Sequence, residues 1–77
     1  MPTLWEEEGY AFRFRSSDAP EPPHIHVEGN GGAAKVWIDE VELASSKGYT
    51  PRQVRHIVAI VRAHQAEFLE QWHAFFG

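Results

Sequence analysis

The sequence predicts an α+β domain: a small antiparallel sheet of three to four strands packed on one long carboxy-terminal helix. Three observations carry that expectation. Apolar and polar residues alternate through Tyr10–Arg15, His24–Glu28 and Ala33–Ile38, which is the period of half-buried strands. Proline- and glycine-rich stretches separate these runs. From Val54 onward the apolar spacing changes to three and four, the period of an amphipathic helix.

Met1 to Glu8 reads as a short lead with Leu4 and Trp5 as anchors, and Gly9 punctuates it. In the first strand Tyr10, Phe12 and Phe14 face one way while Ala11, Arg13 and Arg15 face the other. Ser16 to Pro23 holds three prolines and Asp18, and reads as a loop, because proline cannot donate to a strand ladder. His24 to Glu28 is the second strand. Gly29-Asn30-Gly31-Gly32 is a hairpin turn, since Gly and Asn tolerate the positive φ such turns require. Ala33 to Ile38 is the third strand, and Val41 to Ala44 a short fourth one after an Asp39-Glu40 turn. Lys47-Gly48-Tyr49 is a linker. Thr50 then caps a helix with Pro51 at its first position, where a missing N–H costs nothing. Its stripe at spacings of three and four (Val54, Ile57, Val58, Val61, Gln65, Phe68, Leu69, Trp72, Phe76) runs nearly to the end. A helix of roughly 25 residues is about 37 Å long, more than a small sheet needs, so its far end is expected to meet a partner.

Seventy-seven residues make one domain, 1–77, with a modest core. The absence of cysteine excludes disulfides and thiolate metal sites. No apolar run approaches the ~20 residues of a membrane span, and the acidic amino terminus lacks the features of a signal peptide. A cytoplasmic protein without membrane attachment is expected. The net charge of −4 argues against a nucleic-acid footprint over the whole surface, but leaves room for a local one around Arg13 and Arg15.

The chemistry-bearing stretch is Pro22-Pro23-His24-Ile25-His26-Val27-Glu28. In an extended chain His24, His26 and Glu28 project from one face, outward, and Ile25 and Val27 from the other. Three uses fit this pattern. The histidines can be half-exposed strand residues, hydrogen-bonded to the loop and available to a partner. They can share one metal ion such as zinc, with Glu28, Asp18 or a helix histidine (His56, His64 or His73) completing the set, since alternate strand positions lie ~7 Å apart. They can also work as a base and an acid on an RNA phosphodiester without a metal, with Arg13 and Arg15 holding the phosphate. That last use requires the first two strands to be neighbours. Trp72, Phe75 and Phe76 end the chain as an aromatic patch and Trp37 projects away from Val36 and Ile38, so all four are candidate contacts for a partner protein or a second copy.

Met1-Pro2, Gly9-Tyr10 with Phe12 and Phe14, Asp18, the Pro22-to-Val27 motif, Ala34-Lys35-Val36-Trp37-Ile38, and Trp72 with Phe75-Phe76 together resemble the domain of unknown function 4160 family. The resemblance covers nearly the whole chain. It implies a small bacterial protein of a family without an established activity. It also implies a protein partner, because the family's genes often neighbour those of another small family, numbered 2442, in a pair proposed to be toxin–antitoxin-like. An RNA-directed activity is the further implication. The family supplies no agreed catalytic residues or cofactor to carry over. The sequence therefore predicts an interaction protein of a two-component toxin–antitoxin-like module, with a small ribonuclease or a metal-binding module as the alternatives.

Overall fold

The computed structural model of the protein describes residues 3–77. Its elements are β1 (Trp5–Glu7), β2 (Tyr10–Arg13), β3 (His24–Gly29), β4 (Gly32–Trp37), β5 (Glu42–Lys47), α1 (Pro51–Ala63) and α2 (Gln65–Phe76), with a 3-10 turn at Ser16–Asp18. Among the described residues the strands form one antiparallel meander in the order β1-β2-β3-β4-β5. The α+β class and the carboxy-terminal helical layer are as expected. Two corrections apply: the sheet has five strands, and the helix is two helices. Met1 and Pro2, which contribute to the family resemblance, lie outside the described residues.

The extra strand is β1, drawn from the stretch read as a lead. Trp5 pairs with Phe12 and Glu7 with Tyr10 across a two-residue turn at Glu8-Gly9, whose φ values are 51° and 85°. Two positive φ values match the right-handed twist of a hairpin, but Glu seldom adopts one, so Glu6-Glu7-Glu8 conceals the turn. Leu4 packs on the core as an anchor, whereas Trp5 stays exposed, its ring 4.4 Å from that of His64. The β3–β4 turn is built in the same way from Asn30 (φ 50°) and Gly31 (φ 85°). Asn30 Nδ2 donates to the Glu8 carbonyl at 2.9 Å and joins the two hairpins at one end of the sheet.

The last strand starts later and runs longer than expected. Val41 sits in the preceding turn at φ 54°, an unfavourable conformation for a β-branched residue, and its side chain is buried in the core. Lys35 pairs with Ser45 and Val36 with Leu43, so Ala44 is left as a bulge. Tyr49 closes the linker by donating its hydroxyl to the Gly29 carbonyl at 2.7 Å.

The helix starts as expected, at a Thr50 cap that accepts from the Gln53 N–H while Gln53 Oε1 accepts from the Thr50 N–H. It breaks at His64 (φ −111°, ψ 15°). No proline or glycine marks the place. The Gln65 amide instead donates to the carbonyls of Ile38 and Asp39, both at 2.9 Å, and fastens the start of α2 to the end of β4. An unbroken rod of ~37 Å would exceed the molecule's longest extent of 34 Å. With the break, α2 returns its apolar side to the sheet: Phe68 stacks on Phe12, and Trp72 packs edge-on against Phe14.

Gly29 is the backbone position with least room. Its φ is 120°, and a Cβ there would lie 2.0 Å from the Gly9 carbonyl oxygen. Gly29→Ala is expected to cost about 3 kcal/mol or more, a fall in Tm of at least ~12 °C. Gly31→Ala, also at positive φ but with nothing within 4 Å of the new Cβ, is expected to cost about 1 kcal/mol. Thermal unfolding of the two variants beside the parent protein checks the difference.

Candidate metal centre

Strand parity holds in β3: Ile25 and Val27 are fully buried on the helix side, and His24, His26 and Glu28 take the other. That other face is not open along its length. The segment after β2 folds back over it, with Glu21 ion-paired to Lys35 and the Pro23 carbonyl accepting from the Ile38 N–H. The expectation that His24 looks outward is therefore corrected. Its exposure is 0%, because Trp37 and Trp72 cover it with ring centroids at 5.4 Å each, and the Pro22 carbonyl lies against its edge. His26 is half-buried and Asp18 is buried.

The 3-10 turn brings Asp18 beneath both imidazoles. Its Oδ2 accepts from the Arg15 backbone N–H at 2.8 Å, which holds the carboxylate in place. Its Oδ1 lies 3.0 Å from Nε2 of both His24 and His26. The two contacts differ in kind. His26 Nε2–H donates a hydrogen bond to Oδ1. His24 Nδ1–H donates to the Pro22 carbonyl at 2.9 Å, and a carbonyl only accepts, so in the neutral ring Nε2 bears a lone pair. That nitrogen is buried and makes no hydrogen bond, although a carboxylate oxygen is 3.0 Å away. A lone pair facing a carboxylate oxygen at that distance requires positive charge between them, supplied by a proton or by a metal ion.

The donor atoms of Asp18, His24 and His26 all lie within 4.8 Å of one another. Bonds of ~2.0 Å at a tetrahedral angle put two ligand atoms about 3.3 Å apart, close to the 3.0 Å separations found. The Nδ1–H of His24 held by a backbone carbonyl is also the usual way in which a metal-binding imidazole is oriented. Burial pushes the Asp18 carboxyl upward, but the hydrogen bond from the Arg15 N–H and the two imidazoles beside it outweigh it and hold its pKa below the ordinary value.

The other candidates fall elsewhere. Glu28 stands apart from the cluster and faces Arg13 at 3.8 Å and Arg15 at 3.6 Å. His56 lies 3.2 Å from Glu8, and His64 lies near Glu7 and Glu67, so these rings serve the contact between β1 and the helices, while His73 is exposed. Arg13 is opposite His26, and β2 neighbours β3, as an acid–base pair acting on a phosphodiester requires. Yet His24 has no exposed surface with which to meet a substrate. Among the aromatic candidates Trp72 is a core residue, Phe76 packs partly on the core and Trp37 is half-buried under Lys35, whose Nζ is 4.6 Å from the ring centroid. Phe75 is 52% exposed. Sequence reasoning missed the Pro22 carbonyl and Trp72 as parts of the site; no residue type signals a backbone acceptor, and helical spacing assigns Trp72 only to the core.

The family model described as a domain of unknown function (DUF4160) matches residues 9–73. No curated protein and no solved structure matches the chain.

Asp18 has a lowered pKa in the folded protein, so its contribution to stability is complete above the unfolded carboxyl value of ~3.9 and is lost as the pH falls through the lower folded value. In the absence of metal, urea midpoints for the parent and Asp18→Asn are expected to differ clearly at about pH 6 and to converge at about pH 2. An equal gap at both pH values would remove this role from Asp18.

Proposed function

The chain belongs to the domain of unknown function 4160 (DUF4160) family, and from its Asp18, His24 and His26 we propose that it is a metal-binding module holding one divalent transition-metal ion of the zinc class. The observation that carries the proposal is the buried Nε2 of His24, left without a hydrogen bond and turned to the Asp18 carboxylate while its Nδ1–H is held by Pro22. Two imidazoles and a carboxylate suit zinc, and with three protein ligands a coordination position stays open. Of the three side chains His26 is the least buried, so an ion held here would be reached from its side. To ligate through Nε2, His26 would carry its ring proton on Nδ1 instead, and both imidazoles would have to be neutral, so affinity falls as the pH is lowered.

Calorimetric titration of the full chain with zinc, and the visible spectrum of its cobalt(II) form, test the proposal. One equivalent of metal and d–d bands of a four-coordinate ion are expected. Asp18→Asn and His26→Gln are each expected to weaken binding by roughly a hundredfold, and His56→Gln to leave it unchanged. Absence of saturable zinc binding together with an octahedral aqueous-type cobalt spectrum in the parent protein would overturn it.

The exposed Phe75 at the end of α2 supports a second role beside the first, docking on another protein as in the toxin–antitoxin-like pairing that the resemblance implies. Phe75 stays exposed while its neighbours Trp72 and Phe76 pack on the core.

A further inference from the structure

Beside the cluster, on the sheet face away from the helices, lies a groove of about 300 Å³ lined by Arg15, His26, Lys35, Ser45, Ser46 and Lys47. The protein carries a net charge of −4, yet three cations meet in this groove, and Arg13 stands beside it on β2. The carboxylates near them are Glu28, facing Arg13 and Arg15, and Glu21, paired with Lys35. These are solvent-exposed pairs, each worth at most about 1 kcal/mol, which an incoming anion can displace. Lys47 is exposed and forms no ion pair among the described residues. A neighbouring depression of about 580 Å³ is lined mainly by glycines, with Glu28 and Lys47, and offers no comparable convergence of charge.

We propose that this groove binds a phosphate-type oxyanion, with Arg15, Lys35 and Lys47 supplying charge and Ser45, paired with Lys35 on the same face, supplying a hydroxyl donor. The donor set favours a tetrahedral anion over a carboxylate. One guanidinium offers paired N–H groups, two ammonium groups act as point charges, and the Ser45 hydroxyl serves a further oxygen. The volume is at the small end for a ligand pocket and suits one phosphate ester. His26 belongs both to the groove and to the Asp18 cluster. Only one part of the inference rests on the metal reading: that an anion oxygen takes the open position of an ion held by Asp18, His24 and His26.

Amide NMR titrations of the full chain with inorganic phosphate, uridine monophosphate and a short single-stranded RNA test this, each run with EDTA and again with one equivalent of zinc. Saturable shifts centred on Lys35 and Ser45 to Lys47 are expected in both conditions, weakened by added salt. Lys47→Ala and Arg15→Gln, both at exposed positions, are each expected to raise the apparent Kd roughly three- to tenfold, and Lys47→Ala to leave zinc binding intact. Saturation by RNA at concentrations far below those needed for the monophosphate assigns the phosphates to a nucleic-acid backbone; similar affinities assign them to a small ester. Shifts that persist with EDTA but fail to strengthen with zinc keep the groove and remove its link to the metal. Absence of saturable shifts with all three probes, or identical titrations for the parent and both variants, overturns the proposal.

Discussion

Trp72 is the contact through which the two sides of the domain hold each other. On one side it packs edge-on against Phe14 and lies 4.1 Å from the Phe76 ring, closing the aromatic layer between sheet and helices. On the other it lies against His24. Burial of a side chain of this size is worth roughly 3 kcal/mol, a substantial share of the stability of so small a domain. The same burial takes water away from the His24 ring. Without that exclusion, the His24 Nε2 would be hydrated like any surface imidazole.

Asp18 then governs what the enclosed imidazole can do. Its carboxylate accepts from the Arg15 backbone at one oxygen and meets both histidines at the other, and the Pro22 carbonyl fixes the tautomer of His24 from the opposite edge. A site of this kind is preorganised: little side-chain freedom remains to be lost when a cation arrives. The same loop carries Glu21 to Lys35, so the segment that seals His24 also borders the charged groove.

The helical layer and the site compete for little. Both helices lie on the face holding Phe12, Ile25 and Val27, and the break at His64 lets α2 stay on it. The opposite face is left to charged and hydroxyl side chains in β2, β4 and β5. One layer supplies stability and the other supplies chemistry, with β3 contributing alternate residues to each.

Much of this was legible in the sequence because it depends on local periods. The alternation in Tyr10 to Phe14 and His24 to Val27 determined which side chains enter the core, and Thr50-Pro51 determined where the helix begins. The spacing of His24 and His26, with Asp18 in the preceding loop, determined that these residues were available to form a site. Tertiary structure decided the rest. Glu8 takes a positive φ because β1 gains a partner in β2, and α1 ends because Gln65 reaches the carbonyls of Ile38 and Asp39. Strand parity turned His24 away from the core, but parity says nothing about what a loop and a distant helix lay over a face. Trp72, 48 positions further along the chain, and the returning Pro22 enclosed it, and the choice of Asp18 over Glu28 followed from which carboxylate that return brought within 3.0 Å. Contacts between residues far apart in sequence leave no period to read, and they are what made a pair of histidines into a centre.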